Sequence, residues 1–251
     1  SNLTLAGQSA PYPPYLIEYL GSPTPSPFIF KNIFFGNANG LVHINNINGN
    51  AILLATNNIV TPSSIFTTGV TVDDIGSAPS NTIAFIIDNF IWNPSVPSLV
   101  NFTNFFHINS TKSMPPGVYA IRGAIQDCKL SQQITQKGSF GILEGLLYML
   151  ISNCIIGGYV TGVSVPANSQ PLVLGLDSNT FISNTTDIDI QNVNSSGSIT
   201  SFADKNKVNI VTGASFGIVL TDISGNVTIV GQLYQGNTWD TETNISEQIQ
   251  H

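Results

Sequence analysis

Charge is what this chain has least of. Only 8% of its 251 residues are Asp, Glu, Lys or Arg, against about 25% in an ordinary soluble protein. Seven basic and fourteen acidic side chains give a net charge of −7, and Arg122 is the single arginine. A compact monomer of this mass exposes roughly 10,700 Å², about 500 Å² for each charge. Such a surface rests on Asn, Ser, Thr and Gly, or is covered by copies of itself. Phosphate-tracking nucleic-acid binding is excluded, because it needs clustered Lys and Arg. Cysteine is scarce too. Cys128 and Cys154 are too few for a disulfide scaffold and match no metal-binding pattern. No apolar run reaches the ~18 residues of a membrane-spanning helix; the longest candidate, 142–156, is interrupted by Glu144, Ser152 and Asn153. The first residues lack the charged start and apolar stretch of a signal peptide. Seven glycosylation sequons are close to the roughly five that so asparagine-rich a chain gives by chance, so they carry no secretory history.

Isoleucine, valine, leucine and phenylalanine are abundant, which excludes disorder. Residues 1–27 carry Pro11, Pro13, Pro14, Pro23, Pro25 and Pro27 interleaved with Tyr12, Tyr15, Ile17, Tyr19 and Leu20. They predict an extended arm that packs along its own body or along a partner. From Phe28 onward, short runs rich in β-branched and aromatic residues recur between Asn, Gly, Ser and Pro clusters, as at 52–54, 83–87, 172–176, 218–220 and 227–230. Only 144–151 could pass as a helix, and it fits a buried strand equally well. The class is all-β.

The strands repeat. An asparagine before an apolar pair returns at Asn32, Asn58, Asn89, Asn153, Asn179, Asn206 and Asn237, with Asp127 in the same place once. The spacings are 26, 31, 38, 26, 26, 27 and 31 residues. A β-rich period in this range means a solenoid, propeller or array. Propeller blades need about 40 residues or more each, so a coil of three short strands fits better. The reading is a parallel β-helix over 28–240, about eight coils with variable loops, between the N-terminal arm and a polar tail or cap at 241–251. A jelly-roll β-sandwich is the alternative. Through the Asn-x-apolar ladder from Asn32 to Asn237, the sequence resembles the right-handed parallel β-helix superfamily, the pectate-lyase-like folds that include phage tailspikes and viral fibre proteins. If Asp127 stacks on Asn153, Cys128 stacks on Cys154 at about 4.8 Å, and two reduced thiols are expected there.

Enzymes of the resembled superfamily degrade polysaccharides. The resemblance implies, in the polygalacturonase branch, an Asn-Thr-Asp strand, an Asp-Asp pair, Gly-His-Gly and Arg-x-Lys. As a set these are missing. Asp73-Asp74 is the only adjacent acidic pair, and it reads as a solvated turn. Glu144 stands alone in an apolar run, at a strand bend or a subunit contact. His43 and His107 are separated by more than two coils, and His251 is terminal. No catalytic set, metal site or cofactor site is assigned. The candidate glycan contacts are Asp187 and Asp189, which alternation puts on one strand face, an outward Trp92, and Tyr234, with Tyr148 and Tyr159 as further aromatics. Trp239 falls on the inward register, where it caps the last coil. The function expected is a virion or extracellular structural and attachment protein. It forms a homotrimer, contacts other virion proteins through its arm, and meets cell-surface glycan, without nucleic acid or a membrane span. A polysaccharide lyase or glycoside hydrolase is the alternative.

Overall fold

A computed structural model describes residues 3–230, apart from 8–10, 12, 25, 62–65, 77, 79, 93–102, 116–117, 132–137, 205 and 210–215; for 203–204, 207–209, 216–217 and 229–230 only the backbone is described. The chain is a parallel β-solenoid of about seven turns, with no helix among the described residues. Every pair of named strands is parallel, which excludes the antiparallel jelly roll.

Each turn runs over three faces. The long face stacks Pro27–Lys31, the first halves of Ala51–Val60 and Ile83–Trp92, then Ile121–Gln126, Leu147–Ser152, Pro171–Asp177, Ser198–Asp204 and Asn226–Val230. The short face stacks Ile33–Phe35, the second halves of the two ten-residue strands, Lys129–Ser131, Ile155–Gly157, Thr180–Ile182 and Lys207–Asn209. The third face holds eight strands: Tyr15–Tyr19, Gly40–Asn45, Thr68–Asp74, Asn104–Ser110, Ser139–Glu144, Thr161–Val165, Thr186–Gln191 and Phe216–Thr221. The proline-rich N-terminal segment packs along its own body: Leu3–Leu5 pairs with Ile33–Phe35, and Tyr15–Tyr19 with Gly40–Asn45. The 241–251 tail and Trp239 lie outside the described residues.

The repeat seen in the sequence resolves into two neighbouring columns. Between the long and short faces the chain must turn sharply within a strand. It does so through a left-handed residue, with φ of 50–56° at Asn32, Asn57, Asn89, Asp127, Asn153 and Ser178. Asn and Asp tolerate this conformation better than other non-glycine residues. The next position faces inward, and its column reads Ile33, Asn58, Phe90, Cys128, Cys154, Asn179 and Asn206. Here amides tie turns together. Asn179 accepts the Cys154 N–H (3.0 Å) and donates to the Ile151 carbonyl (2.8 Å). Asn206 repeats the pattern, accepting the Asn179 N–H (3.0 Å) and donating to Leu176 O (2.9 Å). Cys128 and Cys154 occupy amide places on adjacent turns, as the register required, and both are free thiols. Their Sγ atoms point at the corresponding carbonyls, Ile87 O and Ile125 O. Burial pushes the Cys128 thiol well above its ordinary range.

The interior is a file of aromatic and aliphatic side chains. Phe35 stacks on Phe90 at 5.6 Å, and contacts continue through Phe105, Phe106 and Phe140 to Tyr159.

Candidate functional site

Two outer surfaces differ sharply. On the long face, alternation sends every second residue outward, and strand pairing aligns them in columns. The first column is Pro27, Ile52, Ala84, Arg122, Tyr148, Val173 and Thr200; the second is Ile29, Leu54, Ile86, Ala124, Leu150, Gly175 and Phe202. Arg122 is the only charge in either. Ile29 (56%), Ile86 (43%), Tyr148 (48%) and Phe202 (50%) are exposed to a degree unusual for their type. A shallow groove of about 820 Å³ runs across Ile29, Leu54, Ile86 and Tyr148. The third outward column is polar: Lys31, Thr56, Asp88, Gln126, Ser152 and Asp177.

The third face carries the acids and histidines that sequence distance had kept apart. His43 and His107 stand in one column with only Thr71 between them, about 9.6 Å apart at the rung spacing. This corrects their expected separation by more than two coils. His43 Nδ1 meets Glu18 Oε1 and Nε2 meets Asp73 Oδ2, each at 3.1 Å, while Tyr15 stacks on its ring at 4.6 Å. Both ring nitrogens face carboxylates, an arrangement that favours the doubly protonated ring, in which both nitrogens donate. The Asp73 bond is the largest influence raising its pKa above the ordinary value; burial opposes it and Glu18 assists. His107 Nε2 lies 3.4 Å from Glu144 Oε2. Glu144 ends its strand beside Gly145, a left-handed residue (φ +93°) whose added Cβ would fall 1.9 Å from Ser110 O.

The raised His43 pKa has a defined pH consequence. The clasp joins three successive turns. It contributes fully below the unfolded histidine value near 6.5 and is lost as pH rises through the higher folded value. Thermal melts between pH 5.5 and 8.5 should show the wild type losing about 1 kcal/mol more than His43→Gln, the scale of a partly exposed ion pair. Parallel pH profiles for the two proteins would reject the clasp.

The remaining candidates fall as follows. Asp73 and Asp74 form no solvated turn but end a strand. Asp73 faces out to His43. Asp74 is buried, accepting from Lys112 Nζ (2.7 Å), Ser110 Oγ (2.8 Å) and Asn46 Nδ2 (2.5 Å). Trp92 does not face outward: it is 2% exposed and packs on Phe66 at 5.1 Å. The left-handed Asn89 shifts the alternation by one, so Phe90 and Trp92 point inward and Ile91 outward. Asp187 and Asp189 share no outward face. Asp187 is buried beside Asn184 (3.1 Å), where side-by-side pairing lapses opposite Gly162. Asp189 is half-buried and accepts from Gln191 (2.7 Å); burial raises its carboxyl pKa while that bond lowers it. Tyr159 is fully buried, Tyr148 stands on the long face, and Tyr234 lies outside the described residues. Among the described residues no group of three His, Cys, Asp or Glu is placed to hold a metal, and no helix is long and apolar enough to cross a membrane.

Fold and faces together define a parallel β-solenoid with one apolar and one polar outer surface. Compared with family models, curated proteins and solved structures, the chain matches none of them.

Proposed function

We propose that this chain is a structural and attachment protein of a virion or other extracellular assembly, acting as a homotrimer whose subunits pack through the long face. The observation that carries this reading is the near-absence of charge over two adjacent columns of that face. Seven rungs make it about 30 Å long, and its two charge-poor columns, about 6.7 Å each, make it about 13 Å wide. That is roughly 400 Å², the size at which the largest apolar patch of a monomer is often functional. The polar third face then remains for the surroundings, including cell-surface glycan.

Light scattering coupled to size exclusion should return three times the 26.7 kDa chain mass. Ile86→Asp, on the exposed second column, should weaken assembly at least about tenfold, since a buried isoleucine is worth 1.5–3 kcal/mol, while leaving circular dichroism unchanged. A monomer at all concentrations would reject the proposal.

One observation favours a second reading, glycoside hydrolysis on the third face. Asp73 and Glu144 stand in the same column with only Asn109 between them, about 9.6 Å apart at the backbone, near the separation of an inverting carboxylate pair. Each is bonded to a histidine. Release of reducing ends from polysaccharide, abolished in Glu144→Gln, would establish it; an inert wild type would remove it.

A further inference from the structure

On the long face Arg122 is the lone charge of the two apolar columns, while the acids Asp88 and Asp177 stand in the third column with Lys31. Arg122, in the first column, lies over the Tyr119 ring (5.8 Å), which packs against Tyr148 (5.5 Å). Among the described residues it has no ion pair, although it is exposed within an apolar surface. Asp88, in the third column and one turn earlier, is held only by a long bond from Gln126 Nε2 (3.4 Å) among the described residues. Each group thus has bonding capacity that the described residues of its own chain leave unused. Their columns are four residues apart along the strand, about 13 Å, too far for a strong pair within one subunit.

Symmetry brings them together between subunits. In a cyclic assembly whose axis runs along the solenoid, rotation preserves height. The first column of one copy then meets the third column of the next at the same rung. Arg122 arrives opposite Gln126 of the neighbouring copy, with that copy's Asp88 one rung, about 4.8 Å, to the side, within an arginine's span. A face-to-face pair with antiparallel axes would instead set first column against first column and give Arg122 no acid. We propose that Arg122 pairs with Asp88 of an adjacent copy, and that this contact sets both the parallel orientation and the axial register of self-association. The apolar columns supply adhesion, and the charge pair selects one alignment among the sliding alternatives that flat strand faces permit.

This inference rests on self-association through the long face, so its test separates the two. Sedimentation equilibrium is run on wild type, Arg122→Asp, Asp88→Arg and the double charge swap, with thermal melts as folding controls. Each single substitution should raise the dissociation constant at least tenfold by opposing like charges, and the double swap should return it to within about threefold of wild type. An assembling wild type whose singles are unaffected, or whose double swap fails to recover, overturns the Arg122–Asp88 contact and leaves the packing face standing. A wild type that stays monomeric overturns both.

Discussion

Replacing Asn179 by leucine is expected to lower the unfolding free energy by about 3–5 kcal/mol, among the larger effects open to a single side chain. Heavy-atom count and branching are kept, so most of the loss reports polar bonding, with a smaller part from leucine's greater bulk. Asn179 is fully buried and serves three bonds, with Cys154 N–H, Ile151 O and Asn206 Oδ1. Leucine strands an N–H and a carbonyl away from water, at about 1–3 kcal/mol each. The contrast is Asn153→Ala, one column outward. That side chain is exposed, and its replacement costs about 1 kcal/mol, chiefly for placing alanine in the left-handed region. Urea unfolding of both variants gives the comparison. Equal losses would show that the inner amide column has no special part in holding the turns.

Lys112→Met is expected to cost about 3–5 kcal/mol, because it leaves the Asp74 carboxylate buried without its cation. Lys112 also donates to Asn81 O (2.9 Å) and so fastens the 75–82 connection to the coil. Combining it with Asp74→Leu should recover much of the loss, since an apolar pair of similar volume can replace a buried ion pair. The Asn46 and Ser110 donors keep the double variant somewhat below wild type. A single-variant loss under about 1 kcal/mol in denaturant titration would mean that water reaches Asp74 after all.

What the sequence disclosed follows from which rules are local. The left-handed corner favours Asn or Asp, with Ser178 the exception, so the period was visible, and Cys128 on Cys154 followed from a 26-residue gap. The same rule hid a detail: Asn58, Asn179 and Asn206 belong to the inner column and Asn32, Asn89 and Asn153 to the corner, one residue apart, so a single ladder merged two. Trp92 was misplaced because the corner resets alternation, which a strict two-residue period does not register. The Glu18–His43–Asp73 clasp and the His107–Glu144 pair escaped because each depends on register between turns joined by loops of unequal length. His43 and His107 are 64 residues apart in sequence and two rungs apart in space. The charge-poor face was foreshadowed by composition alone. Its location required knowing which residues of seven strands point outward.

The paired corner and inner columns make the molecule a ruler. Rung height is set by backbone hydrogen bonding at about 4.8 Å, whatever the side chains, and each turn touches chiefly its neighbours. Length is therefore counted in whole turns. Residues beyond the minimal 25 or so per turn leave at connections such as 75–82 and 111–120 without altering the count. Lineages of such a chain can extend or shorten their reach by duplicating or losing one corner-to-corner unit, such as Asp127 through Ser152. The faces on either side stay in phase, so span and surface chemistry can change independently of each other.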